Sequence, residues 1–399
     1  MRLLVATPFL PHPSADHGGG VYLAALLRAL AERCTVDLVS ICRPGEEPLA
    51  KELAWFARVD VVPVPRRTDR SPLGQAADHV RHAWLWGARG LPLLAAKMHR
   101  APVARCLEAA RRRKPDAALF EFAVMAQYLP LLHGSTVTVL TDHECGGHAP
   151  SGVLRSDLGR SRDRRLWRRY VRRYYGLASL LQAVNPSDAR VLGGTLGREV
   201  AVRPLIVDLP SRPVDVGRAP PRAVFLGDYA HHPNAEAALF VAEEVWPKVH
   251  AAEPSAELWL AGARAPNEVQ ALGRRGRGVR YVGFVADLRA LFADVRLLLA
   301  PVLSGDGSRV KVVTAAAHGV PIVANARALS GLSLPSLAAR TAESSDDLAA
   351  ATEAWLNDPH EAARAGGAAR AWAEANLVPD AVAEEQLERV RVLLHGKRG

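Results

Sequence analysis

The stretch PVLSGDGSRVKVVTAAAHGVPIVA, residues 301–324, decides the architecture. The apolar run Val295 to Pro301 ends in a loop with Gly305 and Gly307, and from Ser308 the apolar residues take helical spacing until Gly319. Val320 to Ala324 then reads as a strand again. Strand, glycine loop, helix, glycine and strand in this order predict one unit of a parallel α/β sheet. Arg309 and Lys311 stand in the first helical turn, where cations oppose the helix dipole. A bound anion removes that conflict, because backbone N–H groups and two cations make a diphosphate cradle. The spacing is not that of a P-loop. A solvent-facing pair on an ordinary helix is the plainer alternative.

Upstream the same alternation continues through Ala223 to Gly227, a helix Ala235 to His250, Glu257 to Gly262 and Val279 to Gly283. With Val295 to Pro301 and Val320 to Ala324 this predicts five strands and their crossovers, one doubly wound sheet. Three helical stretches follow, Ser345 to Leu356, Pro359 to Leu377 and Asp380 to Leu394. Before it, five prolines break every period between Pro204 and Arg222, the signature of a linker. The N-terminal part repeats the pattern. Arg2 to Thr7, a helix from about Gly20 to Glu32 with Leu23, Leu26, Leu27 and Leu30 on one side, and Thr35 to Ile41 form a βαβ start. Val59 to Pro63, Ala117 to Glu121, Thr136 to Leu140 and Leu180 to Asn185 are further strand candidates, with a helix at Pro102 to Arg113. Ala83 to Met98 stays open, and its Trp84 and Trp86 read more naturally as core than as binding residues. The expected division is 1–208, a linker 209–222, 223–377, and a last helix 378–399 that packs back on the first domain. Two such α/β sheets place their carboxyl strand ends around a central cleft, the usual ligand position.

The 399 residues suffice for two or three cores, and 49% hydrophobic with 23% charged residues excludes disordered and membrane-spanning classes. No signal peptide or anchor is expected, and Cys34, Cys42, Cys106 and Cys145 lie too far apart for a metal knuckle or disulfide framework, which points to a cytoplasmic setting. Fifty-one Lys and Arg against 41 Asp and Glu give a net charge of +10. Much of the excess sits between Arg155 and Arg173, where Leu166, Tyr170, Val171 and Tyr174 mark an apolar stripe, so the segment reads as a basic amphipathic helix. Three readings stand for it: a solvated face, peripheral contact with acidic lipid at the inner membrane face or with an acceptor, and nucleic acid. No nucleic-acid signature supports the last.

Residues 301–324 resemble the nucleotide-binding motif of retaining GT-B glycosyltransferases, in particular glycosyltransferase family 4, the group 1 type. VFLGDYAHHPNAEAALFVAEEVWP (224–247) and VRYVGFVADLRALFADVRLLLAP (279–301) resemble the family's C-terminal domain. TPFLPHPSADHGGGVYLAALLRAL (7–30), AVNPSDARVL (183–192) and RPLIVD (203–208) resemble parts of its first domain. The resemblance implies a GT-B fold and a hexosyltransferase-like enzyme that moves a sugar from a nucleoside diphosphate sugar to a hydroxyl-type acceptor, a small molecule or a glycan, with retention. It implies no metal and no cofactor besides the donor substrate. Gly18, Gly19 and Gly20 would lie over the donor diphosphate, and Asp306 and Gly307 would face the donor sugar. Ser308, Arg309, Val310 and Lys311 would hold the phosphates, and the backbone at Phe284 and Val285 would meet the base. His143, in TDHE (141–144), matches the first-domain histidine that reaches the reaction centre in many relatives; a satisfied loop histidine is the alternative. Glu144, Cys145 and His148 beside it fit no standard zinc spacing.

The sequence departs from the family pattern at two places. Thr314 stands where a second acidic residue usually takes the ribose hydroxyls, and His231 and His232 stand where many relatives carry a cation after the first C-domain strand. Two rivals to transfer stay open: another nucleotide-sugar reaction on the same fold, such as epimerisation or coupling of a non-sugar donor, and, made conceivable by Thr314, a non-catalytic nucleotide-sugar-binding partner.

Overall fold

The computed structural model describes residues 1–15, 18–43, 46–64, 71–143, 154, 156–203, 205–207, 209–304 and 309–396. Asp306, Gly307 and Ser308, with Gly305, Glu144, Cys145, His148, Arg155 and Pro204, lie outside the described residues.

The chain divides into two units, Met1–Ile206 with Pro379–Gly399, and Val207–Val378. In the first, β1 (Arg2–Thr7), α1 (Gly18–Ala31), β2 (Thr35–Cys42), the turn α2 (Glu47–Ala50) and β3 (Arg58–Pro63) open the sheet. After α3 (Pro72–Gly87), α4 (Leu93–Met98) and α5 (Ala101–Arg111) come β4 (Ala117–Glu121) and β5 (Val137–Asp142). Then follow α6 (Asp157–Tyr174), β6 (Leu180–Ala183), α7 (Pro186–Leu196) and β7 (Ala201–Val202), the last too short to show as a periodic run. All neighbours are parallel, in the order β3-β2-β1-β4-β5-β6-β7. Because both faces are covered, β1 reads as a continuous apolar run rather than an alternating one. Leu23, Leu26, Leu27 and Leu30 of α1 are fully buried on one of these faces.

The second unit begins earlier than the proline-rich composition suggests. Val214, Val216 and Ala219 are buried, and the Val214 amide donates to the His318 carbonyl at 2.8 Å, so most of the expected linker is held to this unit. Its strands are β8 (Arg222–Leu226), β9 (Glu257–Ala261), β10 (Val279–Gly283), β11 (Leu297–Leu299), β12 (Ile322–Ala324) and β13 (Ala339–Thr341), in the order β10-β9-β8-β11-β12-β13. Among the described residues there are six strands, one more than the five expected. β13, reading Ala-Arg-Thr, has no apolar run to betray it. The helices are α8 (His232–Phe240), α9 (Trp246–Ala252), α10 (Asn267–Leu272), α11 (Leu288–Ala293), α12 (Val310–His318), α13 (Ala326–Leu329), α14 (Ser345–Asn357) and α15 (Pro359–Asn376). The single helix expected over Ala235 to His250 is α8 and α9 joined by a π turn, Val241–Val245. Pro247, inside the first turn of α9, has no N–H to donate back, and the wider turn absorbs this. Gly319 ends α12 in the left-handed conformation at φ 80°.

The chain then returns to the first unit as α16 (Pro379–Gly396), whose Val382, Ala383, Leu387 and Val390 complete the core over α1. In each unit the strand order reverses once, between β1 and β4 and between β8 and β11, and ligands of such sheets sit at the carboxyl ends of these strands.

Candidate active site

At the β8–β11 reversal the chain leaves β8 through Gly227. A Cβ there would stand 2.9 Å from the Asn234 Cγ, so the absence of a side chain lets Asn234 fold back under the turn. Its amide nitrogen donates to the Asp228 carbonyl at 2.8 Å, and its Oδ1 accepts from the Lys311 Nζ at 2.8 Å. The Lys311 ammonium also lies 4.4 Å from the centroid of the Phe225 ring. Among the described residues no carboxylate pairs with it, and burial pulls its pKa down to about 8.

Arg309 differs from the expectation. It is the N-cap of α12 rather than part of an exposed first turn, is 7% exposed, and donates from Nη2 to the Arg327 carbonyl at 3.0 Å. Val310 after it is half in solvent, and the first turn of α12 carries no acidic residue. The backbone leaving β11 is clamped from β12. Asn325 accepts from the Val302 amide at 3.0 Å and donates to the Val302 carbonyl at 2.9 Å, while Arg327 donates to the Leu303 carbonyl at 3.1 Å. Ser304 bonds the Glu236 carboxylate. Thr314 is half-buried one turn into α12, its carbonyl accepting from the His318 ring. Phe284, directly after β10, is 74% exposed, and Val285 half-buried. The loop after β8 does receive a cation, from further along the chain: Arg264, after β9, donates from Nε to Asp228 Oδ1 at 3.0 Å.

In the first unit, Gly18, Gly19 and Gly20 form the start of α1. His143 stands at the end of β5 with a 10% exposed side chain, beside a cluster that sequence patterns had not singled out. Glu121, the last residue of β4, is completely buried, and both its oxygens accept from Arg203 at 2.7 Å. The His143 Nε2 lies 2.9 Å from Glu121 Oε2 and 3.3 Å from Arg203 Nη2. The shorter contact to a carboxylate puts the proton on Nε2 and leaves Nδ1 as the acceptor nitrogen of the neutral ring. The ring stacks on Phe122 at 4.0 Å with 10° between planes, and Tyr22 of α1 meets it edge-on at 5.8 Å. Phe122 takes φ 71°, a conformation side chains rarely adopt, and this turn is what swings its ring beneath the histidine. Burial lowers the His143 pKa, which Glu121 partly offsets. Burial alone would raise the Glu121 pKa; Arg203 and His143 reverse this and hold it at about 2.

Two polar clusters thus stand at the two strand-order reversals: an ammonium that has no carboxylate among the described residues, beside a helix N-terminus, and a neutral imidazole held by a buried ion pair.

Comparison with solved structures identifies the architecture. Sucrose-phosphate synthase from Thermosynechococcus elongatus aligns over 99% of this chain and 100% of its own at 16% identity and a TM-score of 0.62. HepE from Anabaena, in complex with UDP and glucose, aligns over 97% and 99% at 15% identity and 0.59. The N-terminal domain of trehalose-6-phosphate phosphatase from Candida albicans aligns over 98% and 97% at 12% identity and 0.57. The fold is GT-B. The family described as "Glycosyl transferases group 1" matches residues 220–358, which lie within the second unit of this GT-B chain. A direct sequence comparison with curated proteins finds no significant match. Tyr22, Arg203 and Asn234 lie inside the matched stretches 7–30, 203–208 and 224–247 but carried no assigned role, whereas Glu121, Arg264 and Asn325 lie outside the matches, and the one signal for Glu121 is an acid closing an otherwise apolar strand.

Proposed function

We propose that this chain is a glycosyltransferase that moves a sugar from a nucleoside diphosphate sugar to an acceptor hydroxyl, with retention and without a metal ion. The observation that carries the reading is Lys311: a half-buried cation without a carboxylate among the described residues, beside a helix N-terminus, inside the segment that matches glycosyl transferases group 1. A diphosphate supplies the missing negative charge. Structural relatives of this fold crystallised with UDP and with UDP-glucose support the same substrate class.

The second unit binds the donor. Lys311 and the helix end stabilise the charge that grows on the leaving diphosphate, the role a divalent cation plays in other transferases. Arg309 shapes the loop through Arg327 and adds its charge at the cap. Asp306, Gly307 and Ser308 serve the sugar and phosphates, and the backbone at Phe284 and Val285 serves the base. Glu121 is completely buried with both oxygens held by Arg203, so it is not available as a nucleophile. This fits a front-face displacement in which a donor phosphate oxygen takes the acceptor proton. His143, neutral and oriented by Glu121, presents Nδ1 as an acceptor for a sugar or acceptor hydroxyl.

The test is direct. The purified chain is screened by thermal shift against UDP, dTDP, GDP and ADP, and then assayed with the matching sugar donors in the presence of EDTA. Expected are stabilisation by one nucleotide, transfer unaffected by chelator, and an α-linked product from an α-linked donor. No nucleotide-induced shift, or a rate restored only by Mn²⁺, overturns the reading or its metal-free part respectively.

A further inference from the structure

The most unusual surface of the first unit is the outer side of α3. Helices at a protein surface turn polar residues to water, but here Leu73, Ala76, Val80, Ala83, Trp84 and Gly87 share the exposed side, with Leu73 at 83%, Val80 at 69% and Trp84 at 53% exposure. Their spacing is that of a buried stripe. What holds the helix to the protein lies on the other side, where Leu85 is buried and the Trp86 indole donates to Asp163 at 2.8 Å. Trp84, read from the sequence as core, is therefore exposed instead, and an apolar face of four turns is left to water.

The neighbouring α6 supplies the second observation. Seven arginines between Arg162 and Arg173 are exposed on it, and among the described residues none of the seven pairs with a carboxylate. Asp163 inside this stretch is buried and taken by Trp86 and the Leu93 amide. The two helices are fastened together: Arg162 lies 4.8 Å over the Trp86 ring and donates to the Gly87 carbonyl at 2.8 Å. Arg89 lies 5.7 Å over the Trp84 ring. An unbalanced basic face thus abuts an exposed apolar face at the end that carries tryptophan.

We propose that α3 and α6 together form the docking surface for an anionic lipid bilayer. Apolar side chains enter the boundary between headgroups and acyl chains, the indole of Trp84 sits at the headgroup level, and arginines pair with lipid phosphates while their stems lie along apolar surface. An acidic protein would match α6 but not the apolar outer face of α3, whose charged Asp78 and Arg81 lie off that face and pair with each other, and a second copy of this chain would match that face but bring two basic faces together. A bilayer with anionic headgroups satisfies both at once. No described helix is long and apolar enough to cross a membrane, so the attachment is peripheral. This surface stands apart from the donor-site reading, and its test needs no turnover.

The full chain is sedimented with phosphatidylcholine vesicles and with vesicles containing about 30% phosphatidylglycerol at about 0.1 M salt. Expected is partition to the anionic vesicles, little to the neutral ones, and loss of binding as salt rises. Val80→Glu with Trp84→Glu should weaken partition about tenfold or more, and Arg165→Glu with Arg168→Glu and Arg172→Glu about a hundredfold. Both variants change exposed side chains and should keep the wild-type melting temperature and nucleotide-induced shift. Absence of partition overturns the proposal. So does partition unaffected by the Val80 and Trp84 changes, which would leave simple charge attraction. Self-association that the same changes abolish, without vesicle binding, assigns the face to a second copy and likewise overturns it.

Discussion

Arg203 grips both carboxylate oxygens of Glu121 at 2.7 Å from 82 positions along the chain, and the same carboxylate takes the Nε2 of His143 at 2.9 Å. One buried acid thereby fixes the charge, tautomer and direction of the imidazole. An ion pair this buried is weak evidence of stabilisation by itself, because desolvation offsets most of the attraction. Its value is positional.

Breaking the pair should nevertheless be costly. A carboxyl held at about 2 against an ordinary 4.5 contributes stability above the higher value and loses it as the pH falls towards the lower. Glu121→Gln leaves Arg203 buried without its counter-charge and should lose about 3–5 kcal/mol near neutral pH. The gap to wild type should narrow in acid, because the wild type then loses its own share. Calorimetry from neutral to acid pH decides; a constant gap refutes the assignment.

Replacing His143 by Ala should lower kcat about 10²- to 10³-fold while leaving the affinity for the nucleotide near wild type. The imidazole belongs to the first unit and the donor is assigned to the second, so nucleotide-induced melting shifts should be unchanged. A parallel loss of nucleotide binding would contradict the division of labour.

The Lys311 pKa of about 8 makes nucleotide binding pH-dependent. A diphosphate favours the ammonium and raises that pKa, so binding takes up a proton once the free lysine has begun to deprotonate. Affinity should be level below about pH 8 and fall above it, by up to about tenfold per pH unit. Titration calorimetry in buffers of different ionisation heat should show proton uptake in that window, absent in Lys311→Met.

Arg309 and Lys311 should respond differently to removal. Arg309→Ala leaves the Arg327 carbonyl only the long 3.4 Å bond from the Ser330 amide, opens a buried gap, and should destabilise the apo protein by about 1–3 kcal/mol. Lys311→Ala gives up the Asn234 bond and the Phe225 contact but relieves a desolvated cation beside a helix N-terminus, the last worth roughly 0.3–1 kcal/mol, so its melting temperature should stay near wild type. Both should lose roughly 30- to 1000-fold in transfer rate, equivalent to about 2–4 kcal/mol in the transition state. Equal melting temperatures would remove the structural role assigned to Arg309.

What the sequence determined by itself is the succession of elements and the parallel pairing they require. Apolar runs of strand length, helices with one buried side and glycines at fixed points are local patterns. They carried the two sheets, the glycine end of α12 and the placement of Lys311 beside its N-terminus. What only the tertiary structure decided depends on which chain segments meet. Glu121, His143 and Arg203 come together because β4, β5 and β7 end on the same edge of one sheet, which no spacing along the chain encodes. Arg309 is buried rather than exposed because Arg327, beyond the next strand, offers it a carbonyl. The periodicity of α3 shows that Leu73, Val80 and Trp84 share a face. It does not show which way that face points, because the direction is set by how Leu85 and Trp86 anchor the opposite side.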